Sequence, residues 1–257
     1  MSAKWGDLAP RLASGVAMAA VGLGAVWAGG LIFAELVTLL AGLLMWEAAR
    51  LFGAPDAVRS GILGAVAVAL ALWLPGLFVV PLLVAAVLVA AGSIDRARGP
   101  FAALALWALL GAWIMGMLRA EAGLVWVLWL VAIVVVSDVA GYFAGKALGG
   151  PKFWPRISPK KTWSGTAAGW IGAGLVGALF AGPTGAGAAL VPVSVLVGFA
   201  GQMGDIAESA AKRMQGVKDS SNLIPGHGGV LDRFDAMLGA ALMAGLLHAT
   251  GLLPGAA

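Results

Sequence analysis

Twelve residues of this chain, "IPGHGGVLDRFD" from Ile224 to Asp235, carry one of its two histidines together with three glycines, two aspartates and an arginine. Upstream, Asp205, Glu208, Ser209 and Lys212 follow at i, i+3, i+4 and i+7, the spacing that puts side chains on one face of a helix. Asp232 and Asp235, three apart, open the next apolar segment. Two carboxylate-bearing helix ends joined by a glycine-rich turn suit a hard cation with oxygen ligands. Gly226, Gly228 and Gly229 let backbone amides approach an anion, and Lys212, Arg213, Lys218 and Arg233 supply the positive charge that phosphates require. The combination reads as a metal and polyphosphate site. His227 has no cysteine or second histidine at metal spacing, so contact with a phosphate, or placing a proton, fits it better than zinc binding.

A second polar stretch, "KALGGPKFWPRISPKKTWSG" from Lys146, holds five basic residues and no acidic one. Lys160 and Lys161 stand where a helix begins, and a helix N-terminus disfavours cations unless an anion shares the site. A phosphate would be that anion. The plainer alternative is a positive membrane anchor, with Trp154 and Trp163 in the interfacial belt. Asp138 lies inside the apolar segment just before this loop, where a carboxylate is costly unless paired or bound to a cation. Glu47 stands near Arg50 and is assigned an ion pair with it. His248 is assigned a packing or interfacial role.

The elements that must position these groups belong to a membrane. Of 257 residues, 61% are hydrophobic and only 11% charged, with a mean hydropathy of +0.98. Too few charged side chains exist to cover a water-soluble surface, whereas a lipid-facing surface needs none. Apolar runs at residues 12–29, 30–52, 60–74, 76–93, 101–119, 123–145, 165–182, 187–211 and 234–253 give about nine transmembrane helices, all-α, with 60–74 short enough to be re-entrant. If all nine cross and the N-terminus is cytoplasmic, fifteen of the sixteen lysines and arginines fall on the cytoplasmic side, leaving Arg119 outside. The C-terminus is then external, both polar loops face the cytoplasm, and they can share one site. The first run is read as a retained span rather than a cleaved leader. The chain reads as a single membrane domain over 1–257, with N-terminal helices in 1–122 and catalytic helices plus the two loops in 123–257. The net charge of +4 is therefore no nucleic-acid signal, and the absence of cysteine excludes disulfides and thiolate metal sites.

The stretch "SAAKRMQGVKDSSNLIPGHGGVLDRFD" from Ser209, with "SDVAGYFAGKALG" from Ser137 and "SPKKTWSG" from Ser158, resembles the conserved segments of the bacterial phosphatidate cytidylyltransferases (CDP-diacylglycerol synthases). Ser209, Lys212, Arg213, Lys218, Asp219, His227, Gly228, Gly229, Asp232, Arg233 and Asp235 match that signature in type and spacing. Ala211 stands where a larger aliphatic is usual, and Ser164 where glutamate is expected. In the N-terminal half only "WEAARL" is a loose echo. The resemblance implies cytidylyl transfer from CTP to phosphatidic acid, with magnesium required, alone or together with a second cation, in a homodimer of the bacterial inner membrane. It implies Asp205 and Asp232 as metal ligands, with Asp219 and Asp235 as second choices. It also implies that Lys212, Arg213, Lys218 and Arg233 hold phosphate. Ser158, Lys160, Lys161, Asp138, Ser209, Gly228 and Gly229 would bind substrate, with His227 a phosphate contact rather than a base. An isoprenoid-phosphate cytidylyltransferase is the alternative within the chemistry. A transporter using Glu35, Asp138 and Asp205 is the alternative outside it.

Overall fold

The computed structural model describes residues 8–255, with side chains from Leu12 onward; Lys4 and both chain termini, on which the predicted orientation rests, lie outside the described residues. A helix lies over each of the nine apolar runs: α1 (Leu8–Ala28), α2 (Gly30–Leu51), α3 (Ala57–Ala71), α4 (Gly76–Ala91), α5 (Arg98–Glu121), α6 (Leu124–Leu148), α7 (Trp163–Phe180), α8 (Leu190–Met214) and α9 (Leu231–Ala249). Of the described segments, Gly30–Leu51, Arg98–Glu121, Leu124–Leu148 and Gly187–Met214 are long and apolar enough to cross a membrane. At 15 residues α3 reaches only about 22 Å at 1.5 Å per residue, short of a bilayer core. Large apolar side chains stand open on the outside, Leu77 at 82% and Trp73 at 74% among them, which suits lipid rather than water.

The all-α expectation needs one correction. The basic loop folds into a two-stranded antiparallel hairpin, β1 (Lys152–Trp154) and β2 (Ser158–Thr162), with Lys152 opposite Thr162 and Trp154 opposite Ser158. Phe153, Trp154, Ile157 and Thr162 are aromatic or β-branched, and they flank a turn containing Pro155, so local preference favours strand there. Thr162 then caps α7, accepting from the Gly165 amide at 3.2 Å.

The chain forms two compact units. The first comprises residues through Gly116 together with Ala211–Phe234. Its core holds Leu44, Met45, Leu83 and Leu109, all fully buried. There α2 and α3 approach through glycine: a Cβ on Gly61 would lie 2.9 Å from the Gly42 carbonyl and from the Trp46 Cβ. The second unit comprises Met117–Ala210 with residues from Asp235 onward. In it α6 and α7 meet along small residues, Gly165, Gly169 and Gly172 of α7 lying against Gly141, Ser137 and Ala140 of α6, while Gly177 of α7 lies against Ser194 of α8. A Cβ on Gly165 would sit 2.5 Å from the Gly141 carbonyl oxygen, so only glycine allows this approach. The close crossing brings Asp138 of α6 and the end of the hairpin to one cavity.

Candidate active site

In the second unit that cavity, about 390 Å³, is lined by Asp138, Tyr142 and Lys146 of α6, Lys160 and Lys161 of the hairpin, and Thr166, Gln202 and Asp205. Three lysines and two aspartates at one opening can receive a polyphosphate together with a cation. The Lys161 ammonium pairs with Asp205 at 2.6 Å and donates to the Gln202 carbonyl at 3.4 Å. Ser209, one turn beyond Asp205 on α8, donates to its other carboxylate oxygen at 3.3 Å. Gln202 donates through Nε2 to the Thr166 carbonyl at 3.3 Å, while its buried Oε1 has no hydrogen-bond partner among the described residues. Ser158 opens β2, half-buried opposite Trp154.

One carboxylate oxygen from each of Asp205, Glu208 and Asp235 lies within 4.8 Å of the others, and Glu208 is fully buried. Three hard oxygen donors at this separation fit a magnesium-like cation. The carboxylates gathered with Asp205 are thus Glu208 and Asp235. Glu208 was visible in the sequence as the i+3 member of the Asp205 face, but its meeting with Asp235 was not.

In the first unit the glycine loop is organised around two carboxylates. Asp232, at the start of α9 and ahead of the apolar run, accepts from the Lys212 ammonium at 2.5 Å, from the Ser220 hydroxyl and amide at 2.8 Å each, and from the Gly229 amide at 2.7 Å. Burial pushes its carboxyl up, but the hydrogen bonds from Lys212, Gly229 and Ser220 together outweigh this and hold it below the usual 3.8. The other carboxylate is Glu47 of α2, completely buried. It does not pair with Arg50, whose guanidinium lies 4.9 Å over the Trp46 ring. Instead Glu47 accepts from the Ser221 hydroxyl and from the amides of Val230 and Leu231, and lies 3.2 Å from the Ser220 hydroxyl, whose one proton it shares with Asp232. The sequence offered no sign of this beyond an acid in an apolar run.

The remaining motif residues of this unit surround that frame. Gly228, at φ +83°, holds the left-handed conformation of a tight turn, closed by the Ile224 amide donating to its carbonyl at 2.8 Å. The Arg233 Nε donates to the His227 carbonyl at 2.8 Å, and Ser14 of α1 lies 2.9 Å from His227 Nδ1. Arg213 donates to the Val217 carbonyl at 3.3 Å. Lys218 and Asp219 are exposed. In the second unit His248 lies 3.3 Å from Glu121.

The chain matches the model of the cytidylyltransferase family over residues 9–250. It is 37% identical over 257 aligned positions to the phosphatidate cytidylyltransferase of Brucella suis biovar 1 (strain 1330), an alignment covering 92% of each chain. It is also similar to the phosphatidate cytidylyltransferase of Bacillus subtilis (strain 168), 41% identical over 119 residues that cover 45% of this chain and 44% of that one. The Helicobacter pylori (strain ATCC 700392 / 26695) protein of the same name is 42% identical over 122 residues, 47% of this chain and 46% of its own. A lysine-lined cavity with carboxylates suited to a hard cation, and a family match along almost the whole length, lead to one conclusion: the chain belongs to the cytidylyltransferase family.

Proposed function

We propose that the protein transfers the cytidylyl group of CTP to phosphatidic acid, giving CDP-diacylglycerol and pyrophosphate at the cytoplasmic face of a bacterial inner membrane. The observation that carries this reading is the cavity lined by Lys160 and Lys161, where Lys161 pairs with Asp205. A phosphomonoester lipid at the bilayer surface and a nucleoside triphosphate from the cytosol are both anions. Bringing them together is mainly a task of charge neutralisation and positioning.

A phosphate oxygen of the lipid attacks the α-phosphorus of CTP in line. The bond from that phosphorus to its bridging oxygen breaks, and the electron pair leaves with pyrophosphate. The lipid phosphate has a second pKa near 6 and is already largely ionised, so no general base is required and His227 serves as a phosphate contact. Lys160 and Lys161 hold phosphate from the hairpin. Lys212, Arg213, Lys218 and Arg233 do so from the motif, on the strength of their charge and their place in it. Asp205, Glu208 and Asp235 are the residues that would hold magnesium, which when bound supplies charge neutralisation at the phosphates. Asp232 would have to release Lys212 before turning to a cation, and Asp219 is the remaining acid of the motif.

The same reading takes the chain as a single membrane domain with nine crossings, N-terminus cytoplasmic and C-terminus external, assembled as a homodimer. Purified protein incubated with CTP, magnesium and phosphatidic acid is expected to release CDP-lipid and pyrophosphate in equal amounts. Product only when a polyprenyl phosphate replaces phosphatidic acid would assign the isoprenoid alternative. Neither product with either lipid would overturn nucleotidyl transfer to a lipid phosphate.

A further inference from the structure

Each oxygen of Glu47 has one serine hydroxyl and one backbone amide within hydrogen-bond distance. Oε1 accepts from the Ser221 hydroxyl at 2.5 Å and the Val230 amide at 2.9 Å. Oε2 accepts from the Leu231 amide at 2.6 Å and lies 3.2 Å from the Ser220 hydroxyl, whose one proton it shares with Asp232. The donors come from both ends of the segment 220–231 that contains the "PGHGG" turn, so one buried carboxylate closes this loop at its base. The amides of Val230 and Leu231 belong to the start of α9, where N–H groups have no partner within the helix and the helix dipole favours an anion. Glu47 therefore caps α9 from another helix. The Ser220 hydroxyl also lies 2.8 Å from Asp232, linking the cap to the carboxylate that holds Lys212. A Cβ on Gly229 would collide with the Ser220 hydroxyl and the Glu47 carboxylate, so the backbone is drawn against the acid with no room between.

We infer that Glu47 is a positioning residue for the transfer reaction. It fixes the backbone of residues 220–231, and through it the placement of His227, Arg233 and the Lys212–Asp232 pair. The inference rests on the cytidylyl-transfer reading. Glu47 touches neither substrate nor metal in this account; it acts through the loop. Only an acid accepts on both sides. Glutamine of the same shape would turn an NH₂ toward one serine hydroxyl, which can accept from it, and one backbone amide, which cannot, so an amide hydrogen bond is lost and two N–H groups are set against each other.

The test compares Glu47→Gln and Glu47→Asp with the wild type in detergent, following backbone hydrogen exchange, kcat and the KM for CTP. In Glu47→Gln, exchange over 219–231 should accelerate about tenfold or more while α5 and α6 stay unchanged. The kcat of the folded protein should fall by about tenfold or more, the scale of a lost hydrogen bond to a charged group. Glu47→Asp keeps the charge and should recover part of both. Unchanged exchange in the loop, or faster exchange with wild-type kcat and KM, would overturn the inference. Should Glu47→Gln not fold, the double variant Ser220→Ala with Ser221→Ala leaves the helix cap in place. It should show the same changes in smaller measure, and wild-type exchange and kcat there would overturn the inference equally. A wild-type protein that makes no CDP-lipid would refute the function reading, while the exchange measurements still decide whether Glu47 holds the loop.

Discussion

Replacing Lys161 with methionine removes one positive charge from the cavity and keeps most of the side-chain length. The lost ammonium lies 2.6 Å from Asp205, with the two side chains 24% and 32% exposed. At an effective dielectric constant between about 20 and 80, two unit charges at that distance attract by roughly 1.6 to 6 kcal/mol. Partial solvation and the ordering of a long side chain reduce the net value to about 1 kcal/mol. Two effects of opposite sign follow. Asp205 stands with Glu208 and Asp235, and a divalent cation held there would compete with the Lys161 ammonium. Without Lys161, magnesium should half-saturate activity at a concentration about fivefold lower, the equivalent of ~1 kcal/mol at room temperature. Turnover should nevertheless fall by about 100-fold, as expected when one electrostatic stabiliser of the reacting phosphates is lost. Initial rates of labelled CTP incorporation into lipid, measured across a magnesium titration, report both quantities from one data set. An unchanged kcat would return the hairpin lysines to a purely anchoring role. A rise in the magnesium half-saturation would show that Lys161 does not compete for Asp205.

Gly229→Ala should destabilise the protein by about 1–3 kcal/mol, the range for overpacking, because the new methyl collides with Ser220 and Glu47; thermal unfolding in detergent measures the shift, and wild-type stability would refute the close packing. Asp232 titrates below 3.8 in the folded protein, so its stabilising effect is complete above the unfolded value and is lost as pH falls through the lower folded one. The stability difference between wild type and Asp232→Asn should therefore be constant from neutral pH to about 5 and shrink only in the acid range below about 4, a profile that chemical denaturation at several pH values would reveal. Accessibility probes at Lys152 and Gly216 should both react from the cytoplasmic side and a reporter after Ala257 from the outside. Opposite sides for Lys152 and Gly216 would refute the nine-crossing topology.

Hydropathy alone located the helices, because burial in lipid is a property of a contiguous run of side chains and needs no knowledge of partners. Each apolar run from 12–29 to 234–253 coincides with a helix. The groups of the proposed site were also legible in kind: the lysines of the basic loop, the acidic face of α8 and the glycine segment stand close in sequence, and the proposed phosphate and cation binding rests on residue type with local spacing. What sequence could not decide was which acid meets which donor. Glu47 receives its hydrogen bonds from residues more than 170 positions away, and Arg50, only three residues off, lies over the Trp46 ring instead. Asp232 turned out to face Lys212 and Ser220, whereas Asp205 gathered Glu208 and Asp235. A carboxylate has no sequence mark for its partner, since helical period fixes the face but not the element packed against that face. The hairpin was missed for a related reason: hydropathy reports lipid-buried segments and is silent on a short polar strand pair whose hydrogen bonds lie between strands. The choice of partners belongs to tertiary packing, where the glycine crossing of α6 and α7 sets the distance from Asp138 to the lysines and the closed loop sets Glu47 against the start of α9.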